Sequence, residues 1–316
     1  MTKLKGLLLT EGMHGMISQV EGLAKALDLD FTHEKIELSS FWKLVPPSLT
    51  PVKDFVFKNK IDQNFNIVIS CGRKSVIPSI FLKKKFGNKI MNIHIQDPKV
   101  SLNNFDYIIA PEHDGLTGSN VLTSKGAIHY LRHKELDENE NYLKDRVKKD
   151  KLVALIVGGP NKYYNYDKLE IENIFSKIEK NFIQNGYQLI LIPSMRTPKN
   201  IVEIAKNYFD KNQIIIDTVD KKAYLSSLKI ADHIVVTCDS TSMISESAMT
   251  GKPIYVAQMK PVKSNFRFQK FFELFKSMKI IKDLEDTVED WSYDKLNETD
   301  RISSYIKEQL KNYDFS

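Results

Sequence analysis

The feature that most constrains this chain is a repeated alternation. Short apolar, β-branched runs recur along it: Leu7-Leu8-Leu9, Ile67-Val68-Ile69, Met91 to Ile95 and Tyr107-Ile108-Ile109, then Leu152 to Val157, Leu189 to Ile192, Ile214 to Ile216, Ile234 to Val236 and Ile254 to Val256. Between them lie segments with apolar residues at helical spacing, among them Met16 to Leu27, Asp167 to Asn185, Pro198 to Asp210 and Thr241 to Met249. Runs this short and this uniformly apolar suit strands covered on both faces, and parallel strands require crossovers of this kind. The chain therefore reads as an α/β protein of doubly wound parallel sheets.

With 316 residues there is chain enough for two such sheets. The two series of strands are separated by a polar stretch, His133 to Glu140, and a charge-rich one, Asp145 to Lys151. The expected organisation is a Rossmann-like domain over 1–135, a linker over 136–150, a second Rossmann-like domain over 151–285 and a C-terminal helical segment over 286–316. In that last segment Ile302, Tyr305, Ile306 and Leu310 fall near helical spacing, the pattern of a helix packed on one of the domains.

Hydrophobic residues at 42% and charged residues at 27% exclude a mostly disordered, collagen-like or disulfide-scaffold chain. The net charge is +6, yet only Arg73, Arg132, Arg146, Arg196, Arg267 and Arg301 are arginines, so the excess is lysine spread along the chain. Nucleic-acid readers need clustered basic faces and arginine forks, and no nucleic-acid partner is expected. Cys71 and Cys238 lie far apart, each closing an apolar run, as reduced and partly buried thiols in a cytosol-like compartment would. The opening apolar run is too short for a secretory signal, and no stretch reaches the roughly 20 apolar residues a bilayer span needs. A cytoplasmic location is expected, with any membrane contact peripheral and at the inner face.

The chemistry-bearing residues cluster after the strands. Gly12, His14 and Gly15 follow the first, where glycines let backbone N–H groups approach an anion, although a plain βα turn with a surface histidine explains them equally well. Arg73 follows the second, placed to clamp a phosphate or carboxylate or to form a surface ion pair. Gln96 and Asp97 follow the third and Glu112, His113 and Asp114 the fourth; neighbours in an extended chain point different ways, so these make neither a triad nor a metal site by themselves. In the second half, Gly158 and Gly159 form a glycine-rich loop, and Ser194, Arg196 and Thr197 precede a proline-started helix. The run Thr237-Cys238-Asp239-Ser240-Thr241-Ser242 ends a strand just where a helix opens, which suits a diphosphate, with Glu246 one turn on and in reach of a ribose. The alternative at that place is an ordinary cap by Asp239 or Ser240.

Taken together these blocks resemble the mitochondrial-fission ELM family, which has a plant member and many bacterial relatives. The resemblance rests on Leu9-Thr10-Glu11-Gly12, His14-Gly15, Gln19, Gly22 to Leu27, Gly72-Arg73, Ile95 to Pro98, Phe105-Asp106, Pro111 to Asp114 and Gly118 to Val121. It continues through Ile156 to Pro160, Arg196-Thr197-Pro198, Val236 to Met243, Glu246 and Gly251 to Pro253. It spans roughly Leu7 to Val256, and departs where members commonly read Asp-Gly or Arg-Arg against Glu11-Gly12 and Met195-Arg196 here.

The resemblance implies a fold similar to GT-B glycosyltransferases, two Rossmann-like domains facing across a cleft, with the acceptor on the N-terminal side and a nucleotide-sugar on the C-terminal side. A metal-independent, nucleotide-sugar-dependent transferase would hold its donor with Gly158, Gly159, Ser194, Arg196, Thr197, Thr237, Ser240, Thr241, Ser242 and Glu246. His14, Asp97 and Glu112 would serve proton transfer, and Gly12, Gly15, Arg73, Gln96 and His113 would orient an acceptor, with a lipid-linked one among the options. No cofactor or metal beyond the nucleotide-sugar substrate is expected. The alternatives are a nucleoside-diphosphate-sugar epimerase or hydrolase on the same scaffold, and a non-catalytic adaptor in membrane or organelle fission. From Asn265 to Met278, phenylalanines at helical spacing with Arg267, Lys270 and Lys276 raise two options: a membrane-docking face, or a helix burying its rings against the domain.

Overall fold

A computed structural model describes residues 3–62, 64–285 and 287–315. The chain begins with β1 (Lys5–Thr10), α1 (His14–Ala26), β2 (Asp30–Lys35), β3 (Ile67–Cys71), α2 (Val76–Phe86), β4 (Met91–Ile95), β5 (Tyr107–Pro111) and β6 (Val121–Ser124). It continues with α3 (His133–Asn139), β7 (Leu152–Val157), α4 (Lys168–Asn181), β8 (Gln188–Pro193), α5 (Lys199–Tyr208), β9 (Ile214–Ile215) and α6 (Lys221–Ile230). The last elements are β10 (His233–Thr237), α7 (Thr241–Ala248), β11 (Ile254–Ala257), α8 (Phe266–Ser277), β12 (Ile281–Asp283) and α9 (Glu298–Lys311).

These elements form two compact units, Met1–Tyr130 together with Asn297–Ser316, and Leu131–Leu296. Each holds one six-stranded sheet, and every recorded strand pairing is parallel.

In the first unit the strand order is β2-β1-β3-β4-β5-β6. Alternation along β1 sends Leu8 to a core with Val20 and Leu23 of α1, and Leu7 and Leu9 to a second core with Val68, Ile77 and Leu82. Helix α9 joins the first of these cores through Ile302 and Ile306, so the end of the chain returns to its beginning. Glu298 of α9 accepts from the Lys125 N–H at 2.8 Å, and Thr299 exchanges hydrogen bonds with His129 at 3.0 Å in both directions. Gly22 lets α1 approach that same segment: a Cβ there would lie 2.5 Å from the His129 carbonyl carbon. The edge strand β2, Asp-Phe-Thr-His-Glu-Lys, is mostly exposed and carries little apolar signal.

In the second unit the order is β12-β11-β10-β7-β8-β9. Read from the other edge and numbered within the unit, this is 3-2-1-4-5-6, the Rossmann order. Strands β7, β8 and β10 are buried along their whole length, as parallel strands sandwiched between helices must be. The stretch 136–150, read above as a linker, lies within this unit. Leu136 and Leu143 are buried there, and α3 with the following 3-10 turns packs along α6, where the Ser226 hydroxyl donates to the Glu140 carbonyl at 3.0 Å.

Candidate functional site

In an open parallel sheet the loops at the carboxyl ends part company where the strand order reverses, and a crevice opens between them. In the second unit that place is between β7 and β10. The β7 loop begins Gly158-Gly159-Pro160-Asn161 and the β10 loop is Cys238-Asp239-Ser240, and one buried carboxyl group joins them. Asp239 Oδ2 accepts from the Gly159 N–H at 3.1 Å and from Arg196 Nη2 at 2.6 Å, while Oδ1 accepts from the Thr237 hydroxyl at 2.7 Å and from the Tyr166 phenol. The side chain of Asp239 is wholly buried, whereas that of Arg196 is 39% exposed.

The loops are locked closely. Arg196 Nη1 donates to the Gly159 carbonyl at 2.6 Å, Asn161 Nδ2 to the Asp239 carbonyl at 3.1 Å, and the Gly158 N–H to Thr237 Oγ1 at 2.8 Å. Only glycine fits at the two turn positions: a Cβ on Gly158 would lie 2.2 Å from Asp239 Oδ1, and one on Gly159 2.0 Å from the Arg196 carbonyl oxygen. Burial, then the charge of Asp239, drives the Tyr166 phenol far above its ordinary range, so it stays a donor.

Helix α7 opens beside this lock. Ser240 is its cap, Oγ accepting from the Met243 N–H at 3.3 Å, which realises the capping alternative for that residue. Helix geometry leaves the N–H groups of Thr241 and Ser242 without carbonyl partners inside the helix, and both residues are partly exposed. Further along, Glu246 Oε2 accepts from the Tyr224 phenol of α6 at 2.6 Å, and burial pushes its carboxyl up to about 7. Thr237 and Thr197 face inward instead: Thr237 is fully buried, and Thr197 Oγ1 lies 2.7 Å from the Val157 carbonyl and takes the Ser194 N–H at 2.7 Å. They shape the loops from behind.

The first sheet has its own reversal, between β1 and β3. Glu11 accepts from the Lys74 N–H at 3.0 Å and pairs with Lys74 Nζ at 3.0 Å, tying the two loops together. His14 is the exposed first residue of α1, followed by exposed Gly15, and Gly12 takes a left-handed φ of 85°. Arg73 is engaged by protein, Nη2 donating to the Lys43 and Val45 carbonyls at 2.9 and 2.7 Å. Gln96 has a φ of 85°, a strained value for a residue with a side chain, and turns the chain sharply out of β4. Asp97 pairs with Lys99 at 2.5 Å; burial alone would raise its carboxyl, but the bonds from Lys99 outweigh it and hold the group below the usual range. Glu112 and His113 stand in the 3-10 turn after β5, His113 Nε2 lying 3.7 Å from Asp114. Among the described residues His14, Asp97 and Glu112 share no hydrogen bond or ion pair with one another.

Sequence reasoning placed Asp239 in the 237–242 run and weighed it singly only as a helix cap, and it gave no role to Asn161 in the glycine-rich loop; Tyr166 and Tyr224 it did not single out, since they lie away from strand ends, where no pattern flags them. Both cysteines are fully buried rather than partly so, and burial lifts their thiols, that of Cys238 to about 12, which leaves no thiolate nucleophile. No group of three or more metal-ligating side chains is assembled among the described residues.

The pair of sheets has counterparts among solved structures. A glycotransferase of kitacinnamycin matches with a TM-score of 0.54 at 12% identity, covering 99% of this chain and 94% of that one. A UDP-GlcNAc 2-epimerase from Neisseria meningitidis, bound to UDP-GlcNAc, matches with a TM-score of 0.53 at 12% identity, covering 98% and 100%. The fold is GT-B-like. In sequence, an uncharacterized protein of Rickettsia prowazekii is 27% identical, covering 78% of this chain and 80% of that one. The mitochondrial fission protein ELM1 of Arabidopsis thaliana is 26% identical over 77% of this chain, and the match spans 64% of the plant protein. The family model for mitochondrial fission ELM1 matches residues 14–310, nearly the whole chain, and the protein belongs to that family.

Proposed function

We propose that this protein binds a nucleoside-diphosphate sugar at the carboxyl end of the second sheet and transfers the sugar without a metal ion. The observation that carries the reading is the opening of α7 beside the glycine loop at the reversal of strand order, with Arg196 held at its edge by Asp239. Two unpaired helix N–H groups, the positive end of the helix dipole and a guanidinium are what a diphosphate leaving group requires as its charge develops. Thr241 and Ser242 add hydroxyls at the same place, and Glu246, steadied by Tyr224, accepts a ribose hydroxyl one turn further on.

Support for a nucleotide-sugar comes from the fold neighbour bound to UDP-GlcNAc. His14, exposed at the start of α1, is the foremost candidate for taking an acceptor proton, with Asp97 and Glu112 behind it; Asp97, held low by Lys99, is the weaker base. The epimerase neighbour also favours a second reading, epimerisation of the bound sugar.

A thermal-shift panel of nucleoside diphosphates and their sugars tests the binding step. At a ligand concentration of about 100 times Kd the expected gain is about 2.7 kcal/mol, a rise of several degrees. A panel in which nothing raises the melting temperature removes both enzymatic readings and leaves the adaptor. Where a sugar nucleotide binds, product analysis separates the rest: a glycosylated acceptor supports transfer, and an epimerised donor sugar overturns it.

A further inference from the structure

Helix α8, the basic aromatic segment, turns Phe271, Phe272 and Phe275 into the core and leaves Phe266 as its one exposed ring among the described residues. The densest run of exposed large apolar side chains among the described residues lies in the excursion between β2 and β3. Phe41, Leu44, Leu49 and Phe55 are 67%, 86%, 73% and 59% exposed, and nowhere else among the described residues do more than two large exposed apolar side chains fall so close together.

This excursion is a fixed frame. At its base the Ser39 N–H donates to the Val56 carbonyl at 2.9 Å, the Ser39 hydroxyl to the Phe55 carbonyl at 2.9 Å and the Lys58 N–H to the Glu37 carbonyl at 2.8 Å. Val56 and Phe57 anchor it in the core of the first unit. The Thr50 hydroxyl donates to the Pro46 carbonyl at 2.8 Å, and Arg73 holds the Lys43 and Val45 carbonyls. Trp42 stacks edge-on with Phe41 at 4.8 Å and packs on Phe55 at 6.1 Å, joining the two limbs. Holding large apolar groups rigidly in water gains a free protein nothing, and such a patch marks a surface that another phase or molecule covers.

The charges around it state which. Between residues 40 and 60 the exposed Lys43, Lys53, Lys58 and Lys60 stand against Asp54, and the exposed Glu37 and Asp62 flank the base, leaving an excess of one cation from 37 to 62. We infer that residues 41–60 form a docking surface for an anionic phospholipid bilayer. The four apolar side chains enter the boundary between headgroups and acyl chains, and the lysines pair with lipid phosphates. The inference stands apart from the donor site, which lies in the other unit.

Flotation of the full chain with phosphatidylcholine vesicles, with and without phosphatidylglycerol, tests it. Wild type is expected to float with the anionic vesicles, less so as salt rises, and to stay behind with the neutral ones. Phe41→Ser/Leu44→Ser and Lys43→Glu/Lys53→Glu, whose side chains are exposed and whose melting temperatures serve as the folding control, are each expected to lower partitioning by roughly tenfold or more. Wild type that fails to float with anionic vesicles, or variants that float like it, overturns the inference. So does a dimer in light scattering that Phe41→Ser/Leu44→Ser dissolves while vesicle binding persists, which assigns the patch to a second copy of the chain.

Discussion

Each of the two sheets reverses its strand order once beside its first strand, yet the junctions are built differently. In the second unit the β7 and β10 loops are joined through one buried carboxyl group that collects a backbone N–H, a hydroxyl, a phenol and a guanidinium. In the first, the β1 and β3 loops are joined by Glu11 and Lys74, and the nearby Arg73 gives Nη2 to carbonyls of the 43–45 turn. The first arrangement presents a helix start and a guanidinium already set in place, which is what tight recognition of a small charged ligand rewards. The second is a lighter fastening, one carboxylate shared with a single lysine.

The sharpest break of this comparison is to remove each fastening. Asp239→Ala leaves a guanidinium, a phenol and a backbone N–H without their acceptor, and a loss of about 3 kcal/mol is expected in urea unfolding. Glu11→Ala, whose partner Lys74 is partly exposed, is expected to cost about 1 kcal/mol or less. Equal losses would mean that the two junctions are fastened alike.

Glycine substitutions carry the same contrast with slightly smaller effects. Gly159→Ala drives a Cβ into a backbone oxygen that has nowhere to go, and about 2–3 kcal/mol is expected from the overpacking. Gly72→Ala meets the Met16 sulfur at 2.7 Å, which a flexible side chain can vacate, so the φ of 91° sets a cost of about 1 kcal/mol.

Glu246 sharpens the comparison through pH. Its carboxyl moves from near 4.5 unfolded to about 7 folded, so the folded state holds the proton more tightly. Stability from this group is therefore fully present below pH 4.5 and lost as pH rises to about 7, by at most about 3 kcal/mol. Glu246→Gln is expected to flatten that part of the profile, and an unchanged slope would refute the assignment. The smallest effect expected is from Arg73→Ala: about 1 kcal/mol or less, seen as faster amide exchange around residues 43–45.

The apolar runs made most of the fold legible, because strands buried on both faces leave no room for polar residues. Strands β2 and β6 escaped notice because an exposed or half-exposed edge strand need not be apolar, and β12 because three residues carry no period. The stretch 136–150 reads as a linker from its charges, yet two leucines, Leu136 and Leu143, suffice to pack it on the second unit. At the site, position at a strand end marked Arg196 and the 237–246 run. What no spacing reveals is that Arg196 answers Asp239, or that Tyr166 and Tyr224 arrive from a loop and a neighbouring helix.

The central claim, that the lock at β7 and β10 presents α7 to a nucleoside diphosphate, is tested most directly by calorimetric titration of the full chain with a panel of nucleoside diphosphates. The account predicts binding of at least one, weakened roughly tenfold or more by Arg196→Ala and unaffected by Arg73→Ala. A panel with no binder, or a binder indifferent to Arg196→Ala, would contradict it.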